Sequence, residues 1–203
     1  MKCLLSIALA ASAWTAAAQG TFQAVLSFAG ENSAFTDGTA GWTFQTTGFI
    51  SVTDLGCFNY LFDSNPGGIE VGLWAPDGTL LASNTVTSAS TLAGATRYES
   101  ITPVFLDPGS VYHLGAFYPS NTFSVNMCVP LLGGSVVTSP QIQVRGSAST
   151  GSGFAFPAEE GGANGALYLG PNFRYQIGVP EPSTWMLLGL AGLLTLARQV
   201  TRR

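Results

Sequence analysis

The chain has 203 residues, 46% of them hydrophobic and only 9% charged, with 25 glycines and a formal net charge of −4. Soluble domains carry about 25% charged residues, so this chain is poor in charge, yet it is too apolar to be disordered. Nucleic acid is excluded as a partner class, because most of the seven Lys and Arg lie near the two ends and no basic patch exists between them.

The N-terminus reads as an address. Met1 and Lys2 form a minimal positive region, residues 3–11 are apolar but too few to span a bilayer, and Ala16, Ala17 and Ala18 supply small residues before Gln19. An amphipathic core helix would show a polar face, and none is present. Residues 1–18 are therefore predicted to be a signal peptide removed by signal peptidase. Cys3 leaves with it and does not sit where a lipoprotein acylation site would.

Residues 19–178 form the body. It carries Arg97, Arg145 and Arg174 against ten acids and contains no lysine, so it is acidic, with its charges thinly spread. Turn chemistry recurs every 8–12 residues or so, the rhythm of a sandwich or barrel. Strands are predicted over 42–46, 50–53, 55–61, 69–74, 79–83, 98–106, 111–118, 123–129, 142–144, 167–169 and 173–177. Residues 69–83 form a β-hairpin around Ala75-Pro76-Asp77-Gly78, with proline second and glycine fourth in the turn. The segment 55–61 does not alternate, as expected of a strand covered on both sides. Residues 146–165, rich in Gly, Ser and Ala, are expected to be a long loop. No helical periodicity or internal repeat appears in the body.

Several body motifs resemble a known family. They are Gly41-Trp42-Thr43-Phe44, Val52-Thr53-Asp54-Leu55-Gly56-Cys57-Phe58, Val71-Gly72-Leu73-Trp74 and Asp77-Gly78-Thr79-Leu80-Leu81-Ala82-Ser83. Arg97-Tyr98, Pro103-Val104-Phe105-Leu106, Gly109, Tyr112 and Gly170-Pro171-Asn172-Phe173 follow. Together they are similar to a domain-of-unknown-function family of secreted bacterial β-sandwiches. The resemblance implies the fold and supplies no catalytic residue. The expected fold is all-β: an antiparallel sandwich of eight to ten strands, jelly-roll-like.

After removal of the N-terminal segment two cysteines remain, Cys57 and Cys128, 71 residues apart. In an exported protein an even pair is a candidate disulfide, contributing roughly 4 kcal/mol on chain-entropy grounds, with two buried free thiols as the alternative. The single histidine, His113, falls on a strand and is expected to be structural. One histidine and two distant cysteines do not make a zinc site, and there is no phosphate loop, dinucleotide fingerprint or nucleophile elbow. No cofactor or metal is therefore expected. Asp63, Ser64, Asn65 and Glu70 surround a glycine turn that offers oxygen ligands for Ca²⁺, although turn chemistry alone accounts for them. A glycosidase pair would have to come from Asp54, Asp63, Glu70 and Asp77 facing one another across a cleft. Trp42, Trp74 and Tyr118, with Tyr60 and Tyr168, are candidate ligand-binding aromatics that would stack on sugar faces, core packing being their alternative role.

The C-terminus, residues 179–203, is a second address. Pro180-Glu181-Pro182 stays extended, because each proline lacks an N–H and biases the preceding residue away from helix. Residues 182–197 carry no charge and form an apolar segment of about 16 residues, short of the roughly 20 that span a bilayer comfortably. Arg198, Arg202 and Arg203 follow and mark the cytoplasmic side. Tag, short span and arginines in this order resemble the PEP-CTERM sorting signal. The resemblance implies an inner-membrane intermediate, processing by exosortase and release to the cell surface or outside. A permanent C-terminal anchor is the alternative. The whole chain then reads as an exported, non-catalytic structural or adhesive module, with a lectin-like module of the extracellular polysaccharide matrix as the second reading and a secreted hydrolase as the third.

Overall fold

The computed structural model describes residues 20–29, 31–33, 37–58, 67–119, 125–128, 135–151, 153–161 and 167–178; both predicted address segments lie outside them. In chain order the strands are β1 (Phe22–Gln23), β2 (Val25–Ala29), β3 (Glu31–Ser33), β4 (Gly38–Thr46), β5 (Ile50–Phe58), β6 (Ile69–Trp74), β7 (Leu80–Val86) and β8 (Thr91–Ala93). There follow β9 (Thr96–Leu106), β10 (Val111–Tyr118), β11 (Val125–Cys128), β12 (Ser135–Thr138), β13 (Ile142–Thr150), β14 (Glu159–Glu160), β15 (Leu167–Tyr168) and β16 (Pro171–Ile177). A five-stranded sheet has the order β1-β16-β5-β9-β8 and a six-stranded sheet the order β14-β13-β4-β10-β6-β7. Two small sheets, β15-β11-β3 and β12-β2, complete the set, and the pairing is antiparallel throughout. The fold is all-β and sandwich-like, as expected, with more strands than the eight to ten anticipated because the short edge pieces carry little sequence signal.

Period-two alternation aims the core. Ala40, Trp42 and Phe44 on β4 and Tyr112, Leu114 and Ala116 on β10 meet Val52, Leu55, Phe173 and Tyr175 of the other sheet in one buried cluster. Trp42 stacks on Phe173 with ring centroids 6.0 Å apart, and Phe44 lies 4.9 Å from the same ring. The indole Nε1 donates to the Pro171 carbonyl at 2.9 Å, so a polar atom inside the sandwich is satisfied across the sheets.

Residues 50–53 and 55–61, expected as separate strands, are one strand up to Phe58, interrupted by a bulge. The register of β5 shifts between Val52 and Asp54 against β9 and at the same point against β16, leaving Thr53 as the extra residue. A bulge re-aims the side chains beyond it, so Val52 and Leu55 both face the core although three positions apart. On the partner strand the irregularity takes up Ile101, Thr102 and Pro103.

The long loop expected over 146–165 is corrected. β13 runs on to Thr150, and residues 153–158 cross the outer face of the six-stranded sheet as a strap. Thr39 Oγ1 donates to the Gly153 carbonyl at 2.9 Å and accepts from Ala155 N–H at 3.1 Å. Beneath the strap, Gly41, Gly115 and Gly72 stand level on three adjacent strands. A Cβ on Gly41 would lie 1.8 Å from the Leu114 carbonyl oxygen, and one on Gly72 would lie 2.4 Å from the Trp74 ring and 2.8 Å from Phe154. This glycine row is the trough that takes the Trp74 ring beneath Phe154, their centroids 5.3 Å apart and their planes tilted by 43°. Absence of a side chain here is a packing requirement that composition alone does not disclose.

Candidate functional site

The most informative position is where the chain leaves the fold. β16 ends at Ile177, and Gly178 N–H donates to the Phe49 carbonyl at 2.8 Å. Pro180, Glu181 and Pro182 follow within four residues of that anchored amide, so no separate linker intervenes between sandwich and tag. The tag itself lies outside the described residues, as do Arg198, Arg202 and Arg203. Among the described residues no helix is long and apolar enough to cross a membrane.

A polar cluster occupies the outer side of the five-stranded sheet. Asp54, only 6% exposed, accepts hydrogen bonds from Arg174 Nη2 at 2.5 Å, Thr53 Oγ1 at 2.7 Å and Ser100 Oγ at 3.0 Å. The Arg174 guanidinium lies over the Tyr98 ring, 4.7 Å from its centroid, and that ring covers Gly56. Burial raises the Tyr98 phenol above its ordinary range. The bulge at Thr53 builds this arrangement by turning Asp54 outward beside Arg174. Chemically it is a neutralised pair with its acceptors engaged, a structural clasp.

Of the carboxylates proposed as a glycosidase pair, the three among the described residues, Asp54, Glu70 and Asp77, are not brought together. Asp54 belongs to the outside of one sheet. Glu70 lies on β6 of the other, and Asp77 sits in the β6–β7 turn, where the Thr79 N–H holds its carboxyl below the usual range. Asp63, Ser64 and Asn65 of the candidate calcium turn lie outside the described residues, as does Tyr60. Among the described residues no three His, Cys, Asp or Glu side chains gather in a way that would hold a metal ion. His113 is buried on β10 as expected, its Nδ1 3.2 Å from the Pro157 carbonyl and its ring against Phe156 of the strap.

The candidate ligand-binding aromatics need correction. Trp42 and Tyr118 are 0% exposed and Trp74 is 3% exposed. Their faces are spent on core and strap contacts, so none is offered to a sugar; Tyr168 is half-buried on β15. The expected Cys57–Cys128 disulfide is likewise not formed here. Cys57 is a free thiol in the core whose Sγ donates to the Gly170 carbonyl at 3.2 Å, while of Cys128 the backbone alone is described, paired with Leu167.

Burial pushes the Cys57 thiol from its ordinary 9.0 up to about 12. A raised folded-state value means stability is whole below pH 9 and is lost as pH climbs towards 12, where the unfolded thiol ionises and the folded one does not. In the reduced protein, urea midpoints should therefore fall over that window. They should fall less in Cys57→Ser, whose hydroxyl retains the bond to Gly170 without titrating. Tyr98 contributes to the same fall in both proteins, so the difference between them is the readout. Identical losses would remove Cys57 as a cause.

One open cavity of about 530 Å³ lies between β7 and β9, lined by Leu81, Ser83, Asn84, Ser100, Thr102 and Pro103 among others. The irregular stretch of β9 creates it by lifting residues 101–103 from the ladder, and Asn84 Nδ2 bridges to the Ser100 carbonyl at 3.0 Å. Ser83, Asn84, Ser100 and Thr102 bring hydroxyl and amide groups to its walls, beside the apolar side chains of Leu81, Ala82, Ile101, Pro103 and Val104.

Residues 15–168 match the family described as Domain of unknown function (DUF4082). The chain belongs to the DUF4082 family. Residues 178–203 match the PEP-CTERM protein-sorting motif, which marks this DUF4082 protein for export, membrane-anchored sorting by exosortase and passage to the surface. No curated protein matches the chain. The DUF4082 match stops at Tyr168, yet β16 lies between β1 and β5 in the sheet, so the folded unit runs on to Gly178, where the sorting motif starts. Sequence reasoning missed Arg174 as the partner of Asp54. They are 120 residues apart, and no local pattern couples them.

Proposed function

We propose that this protein is a non-catalytic structural or adhesive module of the cell surface or extracellular matrix. Signal peptidase removes residues 1–18, the C-terminal segment holds the body at the inner membrane, and exosortase cuts near Pro180-Glu181-Pro182 to release it. The observation that carries this reading is the exit at Gly178: the last strand of the sandwich passes directly into the sorting motif, so the enzyme meets a proline-extended tag next to a folded body. The arginines at 198, 202 and 203 resist transfer across the bilayer and keep the tag in place. Neutralisation of Asp54 by Arg174, and its separation from Glu70 and Asp77, support the reading that these three carboxylates do not act as a catalytic pair. Intact-mass measurement of the exported protein tests this. It should lack residues 185–203 and be roughly 2 kDa lighter than the signal-cleaved chain, while Glu181→Ala should accumulate full-length in the inner membrane. Exported protein that retains the tail sinks the sorting reading.

A second reading, a carbohydrate-binding module of the extracellular polysaccharide, is favoured by the hydroxyl- and amide-lined cavity between β7 and β9. It moves the binding site away from Trp42, Trp74 and Tyr118. A glycan array on the exported protein, with Asn84→Ala as the control, distinguishes the two: absence of binding at millimolar sugar leaves the structural module.

A further inference from the structure

Two phenylalanines stand out on the outer face of the five-stranded sheet. Phe105 is 78% exposed and Phe49 is 46% exposed. Register brings them together: Phe105 is level with Ser51 across β9 and β5, and Phe49 precedes Ser51 by two positions, on the same face. Such diagonal neighbours are about 7–8 Å apart, within reach of aromatic side chains. The Gly178–Phe49 bond sets this pair beside the chain exit, while Ile177, level with the buried Ile50, belongs to the inward face.

The tether decides what this patch meets. Trp185, the first bulky residue of the apolar segment, follows Gly178 by seven positions. An extended chain advances at most about 3.3–3.6 Å per residue, so the patch is confined within about 25 Å of the bilayer surface while the tail is attached. An exposed phenylalanine pair alone would bind a bilayer weakly. A tether this short makes the contact intramolecular and raises the effective concentration of lipid at the patch. Charge at this end is mixed. Arg145 bonds Gln45 near the Asp107 turn, so the attraction is apolar and does not call for anionic lipid.

We infer that Phe49 and Phe105 form a lipid-contacting patch that seats the tethered precursor on the bilayer surface and passes into solvent when the tail is removed. The inference rests on the sorting reading only in that the C-terminal segment anchors the chain.

The test uses the full-length chain in phosphatidylcholine vesicles, carrying either Phe105→Trp or, as a control, Leu92→Trp. Leu92 is 51% exposed on β8, level with Arg97, and measured along β5 (Arg97 faces Cys57, Phe105 faces Ser51) it lies about 20 Å from Phe105. Emission in excess of the parent reports the added indole. With lipids brominated near the headgroup end of the acyl chain, the indole at position 105 should lose about half of its emission and the one at 92 almost none, as expected for insertion at the interface. Equal, unquenched emission at the two positions overturns the inference. So does a blue shift at 105 that is untouched by bromine and vanishes on dilution, the signature of a second copy covering the patch. Neither vesicle readout depends on exosortase. Quenching with an uncut tail in cells would uphold the patch and refute the sorting, and tail removal without quenching would do the reverse.

Discussion

Trp42→Ala should cost the folded protein about 3–5 kcal/mol, the range for deleting a large aromatic from a core that cannot collapse around the space. The side chain is fully buried, and it touches both sheets at once. Its ring stacks on Phe173 and lies 5.2 Å from Phe44, and its Nε1 satisfies the Pro171 carbonyl at the start of β16. Truncation therefore opens a cavity between the layers and leaves a buried acceptor unpaired. Against a total stability of about 5–15 kcal/mol, a loss of that size would leave a substantial unfolded fraction near 37 °C. Trp42→Phe separates the two contributions: it retains most of the apolar contact and should lose only about 1–3 kcal/mol, the cost of the orphaned carbonyl. Urea denaturation of the exported protein reads both. A loss below about 1 kcal/mol for the alanine variant would mean that the sheets do not pack through this residue.

The second large effect is expected at Asp54. Removing one partner of a buried ion pair typically costs about 3–5 kcal/mol, because the remaining charge is left without compensation. Here the lower end applies, since the Arg174 side chain keeps 23% of its exposure and water can reach part of the guanidinium. Asp54→Ala also deprives Thr53 and Ser100 of their acceptor. Replacing both members, Asp54→Leu with Arg174→Leu, should cost less than Asp54→Ala alone, as an apolar pair needs neither desolvation of charge nor a partner. A double-mutant cycle gives the coupling. Additive single losses would show that the two side chains act independently, and the clasp would then be an incidental contact.

How much of this was legible in the sequence depends on the range of the interaction concerned. The hairpin at Ala75-Pro76-Asp77-Gly78 and the strand Val111–Tyr118 were readable because turn chemistry and alternation are local, and the structure has them where expected, with Gly78 at φ 86°. The β5 strand was read as two because a bulge breaks alternation without breaking the strand, and the extra residue is visible only against its neighbours β9 and β16. Residues 146–150 were read as loop because Gly and Ser have low strand propensity. Pairing of Gly146–Thr150 with β4 overrides that preference.

The same division separates addresses from sites. The sorting motif is legible in sequence alone because it is written in consecutive residues, 178–203. The body's surface is a different kind of object. Whether Trp42 offers a face to a ligand or fills the core, whether Asp54 is a free acid or Arg174's partner, and which face of the sheet Phe105 takes were settled by pairing between strands far apart in the chain. Sequence determined the polarity and periodicity of each segment. Tertiary structure alone decided which residues share a face, because register and bulges are set by neighbours that no local window contains.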